Sequence, residues 1–307
     1  MKNLLNTKYP IIQGAMANIS DAEFAASVSN SGALGVIASG GMPAKALEEE
    51  IIKCKSLTNN PFGVNVMLMN PEKDQIIEVI IKHNVKFVTT GAGNPGKYIP
   101  ALKANGCKIF PVVASVALAR RMEKLGADAI IAEGTESGGH VGEQTTMSLL
   151  PQVKAAVSIP VIGAGGIANG TGMLAAEVLG ASMVQVGTCL LVSKECKIHQ
   201  NYKDLVVKAK DISTVVTGRS KNTPVRIYKN QMATKYIKLE STDVESEEFE
   251  KLTLGSLRKA VVDGDKDGGS FMMGQIAGLL KEEKTLDEIF ENFMIEYNEA
   301  KKKLMEI

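Results

Sequence analysis

One of the three histidines in this 307-residue chain follows two glycines in a stretch rich in acidic residues. The stretch EGTESGGHVGE, residues 133–143, is too rich in glycine to suggest a helix or a strand, and it places His140 among three glutamates. Glycine permits backbone conformations that other residues resist, so this loop can aim an imidazole at a ligand. An imidazole has an ordinary pKa of about 6.5 and can move a proton at neutral pH. We therefore predict that His140 is catalytic; the alternative is an ordinary solvated loop residue.

Two other glycine-rich stretches are suited to holding a phosphate. They are AGGI at 164–167 and VGT at 186–188, at the ends of the last two predicted strands. In a β/α barrel the loops after strands seven and eight commonly bind phosphate through backbone N–H groups. The alternative is that these glycines only permit tight turns. GAGGIA at 163–168 also matches a dinucleotide fingerprint, but the next strand ends in QVGT without the required carboxylate, so we reject that interpretation.

Other chemistries lack the side chains that they need at the predicted strand ends. No strand end carries a lysine placed for Schiff-base catalysis, and the sixth loop has His140 where a thiolate enzyme would need a cysteine. Among potential metal ligands only His140 stands at a strand end. What remains is a phosphate-anchored ligand assisted by one imidazole, and flavin mononucleotide (FMN) fits that description because the cofactor carries the redox chemistry.

The elements that must position these residues recur along the chain in a regular alternation. Short apolar runs, rich in β-branched residues, alternate with amphipathic helical segments. The runs cover residues 10–16, 34–40, 62–68, 87–93, 108–114, 129–134, 160–167 and 183–190. Eight such units predict an α/β fold of the TIM (β/α)8 barrel type, rather than a doubly wound sheet, with the active face at the carboxyl ends of the strands.

The alternation stops after about Cys196, so we predict three segments. Residues 1–196 form the barrel, which binds FMN. Residues 197–280 are rich in lysine and acidic residues, include the charged stretch at 239–251 and lack an alternating strand pattern, so we expect a mostly helical insert or cap over the flavin. Residues 281–307 form a terminal helix, N-capped by Thr285, that packs back on the barrel.

The overall composition excludes several functional classes. A net charge of +1, no tryptophan and few aromatic residues argue against a nucleic-acid partner. The four cysteines show neither metal-binding nor disulfide spacing, and no apolar stretch is long enough to span a membrane. The first residues contain no apolar run of signal-peptide length before Pro10 and Gln13, so we expect a cytoplasmic protein.

Several motifs in this order resemble the nitronate monooxygenase (2-nitropropane dioxygenase) superfamily of flavin barrels. They are QGAM at 13–16, FGVN at 62–65, GGH at 138–140, AGGI at 164–167 and QVGT at 185–188. Three longer stretches are more similar to the FabK-type FMN-dependent enoyl-acyl-carrier-protein reductases. These are VTTGAGNP at 88–95, the segment 111–134, and VDGDKDGGSFMMGQIAG at 262–278.

The resemblance implies FMN as cofactor, NADH or NADPH as reductant, and a trans-2-enoyl thioester on acyl carrier protein as substrate. His140 would orient the thioester carbonyl and supply the α-proton. The residues that it implies around the flavin are Gly14, Ala15, Met16 and Asn65 at the ring, with Thr90, Glu133 and Gly139 nearby, Gly165, Gly166, Gly187 and Thr188 at the phosphate, Gln185 at the ribityl chain, and Met273 and Gln275 closing from the insert. Met16 is equally open to simple packing, Asn65 to capping a strand end and Glu133 to pairing with a neighbouring loop. Relatives of this type also imply a homodimer and a possible monovalent cation.

Two alternatives remain. A nitronate monooxygenase would use His140 as the base that removes the α-proton of a nitroalkane, with oxygen as electron acceptor. A flavin-free barrel would only bind a phosphorylated metabolite. The other two histidines, His83 and His199, are predicted to be solvated or capping residues.

Overall fold

The computed structural model describes residues 4–242 and 246–306, and its centre is an eight-stranded parallel sheet that curves into a barrel. The strands of the chain are β1 (Ile11–Gln13), β2 (Gly35–Ala38), β3 (Phe62–Met67), β4 (Phe87–Gly91), β5 (Lys108–Val113), β6 (Ile130–Glu133), β7 (Gly139–His140), β8 (Val161–Ala164), β9 (Met183–Val186), β10 (Thr214–Thr217) and β11 (Val225–Tyr228). The barrel order is β1-β9-β8-β6-β5-β4-β3-β2, and a parallel bridge between Ile12 and Leu34 brings β1 to the strand at the other end. All eight barrel strands lie within the predicted runs, and the TIM-barrel prediction is confirmed.

Helices cover the outside of the barrel and make up most of the segment that follows it. They are α1 (Ala22–Asn30), α2 (Ala44–Leu57), α3 (Lys73–Lys82), α4 (Ile99–Ala104), α5 (Val116–Lys124), α6 (Thr146–Ala156), α7 (Gly170–Val178), α8 (Gln200–Val207), α9 (Gln231–Glu240), α10 (Ser246–Thr253), α11 (Ser256–Arg258) and α12 (Leu286–Met305). Thr285 caps α12 as predicted, in a reciprocal capping box with Glu288. The apolar face of α12 packs against α7, so the terminal helix lies on the barrel.

The strand register separates the inner face of the barrel from the outer one, because successive side chains of a strand point to opposite faces. The inner face carries a buried apolar cluster that includes Ile12, Val36, Phe87, Phe110, Ile131, Ile162 and Met183. One step nearer the carboxyl ends of the strands, the inward positions become polar: Asn65, Thr89, Glu133 and Gln185. The mouth of the barrel is thus polar above an apolar floor.

A small antiparallel sheet, which the sequence pattern did not indicate, lies beside this mouth. It consists of β10, β11 and β7, and it joins the segment after the barrel to the loop that carries His140. The sequence of residues 197–280 shows no alternating strand pattern because two four-residue strands are too short to show one, and β7, the third strand of the sheet, comes from a distant loop. Of the charged stretch at 239–251, residues 243–245 lie outside the described residues.

The four cysteines are buried free thiols, and burial raises the pKa of Cys189 to about 12. Within residues 4–242 and 246–306, no helix combines the length and the apolar character needed to cross a membrane. The same residues include no group of three or more His, Cys, Asp or Glu side chains arranged to hold a metal ion.

Candidate active site

The polar ring inside the mouth contains three of the predicted residues, Asn65, Glu133 and Gln185, and one that was missed, Thr89. Asn65 on β3 faces Thr89 on β4, and its side-chain amide donates a 2.9 Å hydrogen bond to the Thr89 hydroxyl. Thr90, the predicted residue, is paired with Val66, whose side chain packs in the outer layer against the helices. The β4 side chain that faces the mouth is thus Thr89, and an error of one residue along a strand exchanges the faces.

The end of β1 meets the end of β9, which brings two predicted glycine-rich stretches together. The Gly14 amide donates a 2.7 Å hydrogen bond to the Val186 carbonyl. A Cβ added at Gly14 would lie 3.7 Å from the Gln185 side chain, and one added at Gly187 would lie 3.8 Å from the Met16 sulfur. Ala15 packs beside the inner cluster. The ends of β1 and β9 therefore form one continuous surface at the mouth.

The loop after β8 contains two glycines with left-handed backbones, Gly165 at φ +91° and Gly166 at φ +71°. A Cβ on Gly165 would lie 2.8 Å from the Gly134 carbonyl oxygen, so close packing against the loop after β6 requires glycine here. Gly166 faces Glu136, whose carboxylate accepts hydrogen bonds of 2.9 Å from the Thr146 amide at the start of α6. The positive end of that helix dipole compensates the Glu136 charge near the loop.

Two of the first three amides of α7 already have acceptors. The Gly172 amide donates to the Asn169 side chain at 2.8 Å, and the Gly170 amide donates to the Glu296 carboxylate at 3.0 Å. A phosphate at this edge would therefore rely on the loop backbones at Gly166, Gly187 and Thr188 more than on α7.

His140 lies in β7, a two-residue strand held by the insert. Val225 pairs with His140 and Arg226 pairs with Gly139, so the expectation that this stretch is too rich in glycine to form a strand is wrong. Gly139 has φ +80°, which favours glycine. The His140 side chain keeps contact with solvent, while desolvation by the surrounding protein lowers the pKa of its imidazole. The imidazole is consequently neutral at pH 7, which suits either a hydrogen-bond donor or a base.

Gly138 lets the insert cross directly over this loop. A Cβ at Gly138 would lie 2.7 Å from the Met273 carbonyl carbon and 2.9 Å from the Gly274 nitrogen. We call residues 272–275 the closing segment. Its Gly274 amide donates to the Thr188 hydroxyl at 3.0 Å, and its Gln275 amide donates to the Glu136 carbonyl at 2.9 Å. The closing segment therefore joins the β6–β7 loop to the loop after β9.

The side chains of the closing segment are placed differently from the sequence expectation. Met273 is fully buried in the main apolar cluster, so its side chain points into the core rather than over the mouth. The Met272 sulfur would lie 3.6 Å from a Cβ added at Gly139, which makes Met272 the methionine beside the His140 loop. Gln275 is exposed.

Arg226 is a buried charged residue that the sequence analysis missed. Its Nε donates to the Thr135 carbonyl at 3.0 Å and its Nη1 donates to the Thr214 hydroxyl at 3.1 Å, with the side chain 6% exposed. Burial lowers the pKa of its guanidinium, and the charge of Arg219 acts in the same direction. No sequence signal pointed to this residue, because a single arginine in a short strand acquires its role only from tertiary contacts.

Glu133, at the end of β6, is the second titratable group in the mouth. Burial raises the pKa of its carboxyl to about 7, and the neighbouring Ser137 opposes this shift. The buried Thr135 hydroxyl has no hydrogen-bond partner in the part of the chain that the structure describes, and the Ser137 hydroxyl lies against the Glu133 carboxyl. A desolvated carboxyl and an unsatisfied hydroxyl are costly unless a ligand or water satisfies them, so this group fits a polar ligand in the mouth.

The other two histidines lie away from the mouth, as predicted. His83 is the C-cap residue of α3 and its Nε2 contacts the Glu48 carboxylate at 2.7 Å. His199 caps α8 by accepting a hydrogen bond from the Asn201 amide. Neither contributes to the site.

Comparison with known proteins places this arrangement in a family. The family model described as "Nitronate monooxygenase" matches residues 1–76 and 71–296. A Staphylococcus aureus protein named "Probable nitronate monooxygenase" is 34% identical over 87% of this chain and 88% of its own length.

Two solved structures share the whole fold. FabK from Thermotoga maritima is 47% identical, with a TM-score of 0.95 over 98% of this chain and 96% of its own. A nitroalkane oxidase from Streptomyces ansochromogenes is 27% identical, with a TM-score of 0.86 over 97% of this chain and 98% of its own.

Proposed function

This chain belongs to the nitronate monooxygenase family as a FabK-type member, and from this premise we propose that it is an FMN-dependent enoyl-acyl-carrier-protein reductase. The observation that carries the proposal is the likeness to FabK, which is closer in sequence and in structure than the likeness to the nitroalkane oxidase. The proposed reaction reduces trans-2-enoyl thioesters on acyl carrier protein, as a step of bacterial type II fatty acid synthesis in the cytoplasm.

The residues of the mouth fit FMN. Bare backbone at Gly166 and Gly187 and the hydroxyl of Thr188 would hold the phosphate, with Gln185 beside the ribityl chain. Gly14, Ala15 and Met16 from one side, and Asn65 from the other, would border the ring. When bound, FMN supplies a carrier that accepts a hydride from NADH or NADPH and delivers it to the β-carbon of the enoyl thioester.

The chain itself supplies orientation and a proton. The neutral imidazole of His140 would donate a hydrogen bond to the thioester carbonyl oxygen, which polarises the enoyl group toward the β-carbon. The proton that the α-carbon takes up would pass through the same residue, because the solvent-accessible imidazole can take up a proton from water at one ring nitrogen as it gives one up at the other. Arg226 holds the loop in front of His140 through the Thr135 carbonyl, and the closing segment limits the access of water from the side of the insert.

The insert offers a surface suited to an acidic carrier protein. Lys229, Lys235 and Lys266 are exposed around an open cavity of about 560 Å³, and none of the three forms an ion pair with another described residue. Lys229 lies just beyond β11, whose first residue pairs with His140. An extended strand rises about 3.3 Å per residue, so four residues set the backbone of Lys229 roughly 13 Å from the His140 pairing. We propose that the carrier docks here; a homodimer and a monovalent cation remain further proposals.

The test of the redox proposal is an anaerobic titration of the purified protein with NADH and then NADPH, followed by the absorbance that oxidised flavins show at about 450 nm. Bleaching by either nucleotide, followed by recovery on addition of an enoyl thioester, is the expected result. A yellow protein that stays oxidised with both nucleotides contradicts the reductase. A colourless protein that does not take up FMN favours a flavin-free barrel.

Nitronate monooxygenase activity is the second candidate, and the family name of the curated relatives favours it. The neutral imidazole of His140 would then remove the α-proton of a nitroalkane. Steady-state assays with an enoyl thioester under NADH, and with a nitronate under oxygen, separate the two activities. His140→Ala should lower turnover of the true substrate roughly 100-fold or more while leaving the FMN content intact. If FMN is lost instead, His140 has a structural role.

A further inference from the structure

The face of the small antiparallel sheet that presents His140 continues as an apolar surface. Residues directly opposite each other in an antiparallel pair share a face, so Val225 stands beside His140 and Thr217 stands beside Val225. Two positions along the strands, Val215 and Ile227 form the next pair on the same face. The imidazole therefore lies at one end of a face whose other members are mostly apolar.

Exposure to solvent decreases along this face with distance from His140. His140 is exposed, Val225 is half-buried and Ile227 is 2% exposed. Ile227 forms a small buried cluster with Met232 and Ala233 of α9. The half-buried side chains that pack against this cluster are Val215, Val225, Leu252 and Met272. An apolar surface thus runs from His140 into the insert, between the sheet and α9.

The opposite face of the sheet carries a charge. Val216 and Arg226 are paired there, and the guanidinium donates a 3.1 Å hydrogen bond to the Thr214 hydroxyl. A hydrocarbon chain packed on that side would remove further solvent from the guanidinium, which is costly. Of the two faces, the one that presents His140 is therefore suited to an apolar ligand.

We propose that the hydrocarbon tail of the enoyl substrate lies on this face, against Val225 and Val215, so that the insert sets the preferred chain length. The inference rests on the proposed function, in which His140 contacts the thioester carbonyl oxygen. Two strand residues rise about 3.3 Å each, so the Val215 row lies about 7 Å from the His140 row. An extended chain advances about 1.2 Å per bond, so the carbons of a decenoyl group beyond its β-carbon span about 8 Å. A decenoyl tail thus reaches Val215, whereas a crotonyl group ends near Val225.

The burial of methylene groups gives the proposal a measurable consequence. Each methylene removed from water strengthens binding by up to about fourfold. In the wild-type protein kcat/KM should therefore be higher for a trans-2-decenoyl thioester than for a crotonyl thioester, because only the longer tail covers both valines.

The test compares kcat/KM for trans-2-decenoyl and crotonyl thioesters of the same acyl carrier protein. Val215→Thr keeps a β-branched side chain of nearly the same shape, and it should lower the decenoyl-to-crotonyl ratio by about fourfold. Leu252→Ala, on α10, should also lower the ratio, and it leaves the sheet unaltered. Val216→Thr is the matched control, because Val216 is a half-buried valine of the same strand on the opposite face. It should keep the wild-type ratio.

Two results overturn the inference. Either the wild-type protein uses both thioesters equally well, or Val215→Thr and Leu252→Ala show the same ratio as Val216→Thr. If Val215→Thr does not fold, the comparison of Leu252→Ala with the control decides. A protein that takes up FMN but reduces neither thioester with NADH or NADPH refutes the proposed function instead. A protein that reduces both, with a ratio that no substitution changes, refutes only the placement of the tail.

Discussion

Substitution of Gly138 by alanine tests how the insert is attached over the active-site loop. In the native structure the closing segment passes so near that an alanine Cβ would lie 2.7 Å and 2.8 Å from the carbonyl carbon and Cα of Met273, and 2.9 Å from the Gly274 nitrogen. All three neighbours are backbone atoms, so no flexible side-chain end can move aside. The closing segment or the loop must shift.

The size of the effect follows from this geometry. Inserting a methyl group into a close-packed contact costs about 1–3 kcal/mol. The upper part of that range applies because the displaced backbone also carries the hydrogen bonds from Gly274 to Thr188 and from Gln275 to Glu136. With a shift of about 2–4 °C per kcal/mol for a large domain, a loss of about 2–3 kcal/mol lowers the Tm by roughly 4–12 °C. We also expect a lower FMN content, because Thr188 loses its fixed position.

The assay combines thermal unfolding with the flavin-to-protein absorbance ratio of the purified variant. Gly40→Ala is the matched control: Gly40 follows β2 at the same end of the barrel, but its added Cβ would have nearest neighbours at 3.5 Å and 3.6 Å, which is ordinary contact. A Gly138→Ala protein as stable and as yellow as Gly40→Ala would refute the close crossing of the closing segment over the His140 loop.

Three further predictions concern the residues that hold and feed this site. Arg226→Gln removes the hydrogen bonds to Thr135 and Thr214, so it should lower the free energy of unfolding by about 1–3 kcal/mol and reduce kcat more than it changes KM. Recovery of kcat in Arg226→Lys would contradict a requirement for both guanidinium hydrogen bonds. Thr188→Val leaves the Gly274 amide without its acceptor, so thermal unfolding should show a free energy of unfolding lower by about 1–2 kcal/mol, and the purified variant should contain less FMN. Unchanged stability would contradict this hydrogen bond. Lys235→Glu should raise KM several-fold for an enoyl group on acyl carrier protein, and the increase should be larger at low salt. The KM for a free thioester should stay constant. An equal change for both substrates would exclude docking of the carrier at this surface.

Much of the barrel was predictable from the sequence, because the pattern that indicates each strand is local. The eight apolar runs carry β-branched residues between polar segments, and this alternation predicts parallel strands joined by helices without reference to distant residues. Helix capping is local in the same way. Thr285 and Glu288 are three residues apart, so a four-residue segment of the sequence is enough to predict the start of α12. The motifs around His140, Gly165 and Gly187 also come to one end of the barrel, since the carboxyl ends of all parallel strands share it.

The identity of the inward-facing threonine on β4 required the tertiary structure. Thr89 and Thr90 are adjacent and chemically identical, and only the register with Asn65 and Val66 decides which one faces the mouth. The closing segment shows the same limit. Met272 and Met273 are adjacent and chemically identical, and only the tertiary structure shows that Met273 is buried in the core while Met272 lies beside the His140 loop.

The sequence by itself determined the barrel, the order of its strands along the chain and the set of loops at which chemistry can occur, because those properties depend on local pattern. The tertiary structure alone decided that His140 lies on a strand and that glycine is needed at position 138 for the closing segment to cross the His140 loop. It alone decided that Arg226 is buried and hydrogen-bonded to the Thr135 carbonyl. It also decided the ionisation of Glu133, since the free energy of a charged carboxyl depends on what surrounds it rather than on its neighbours along the chain.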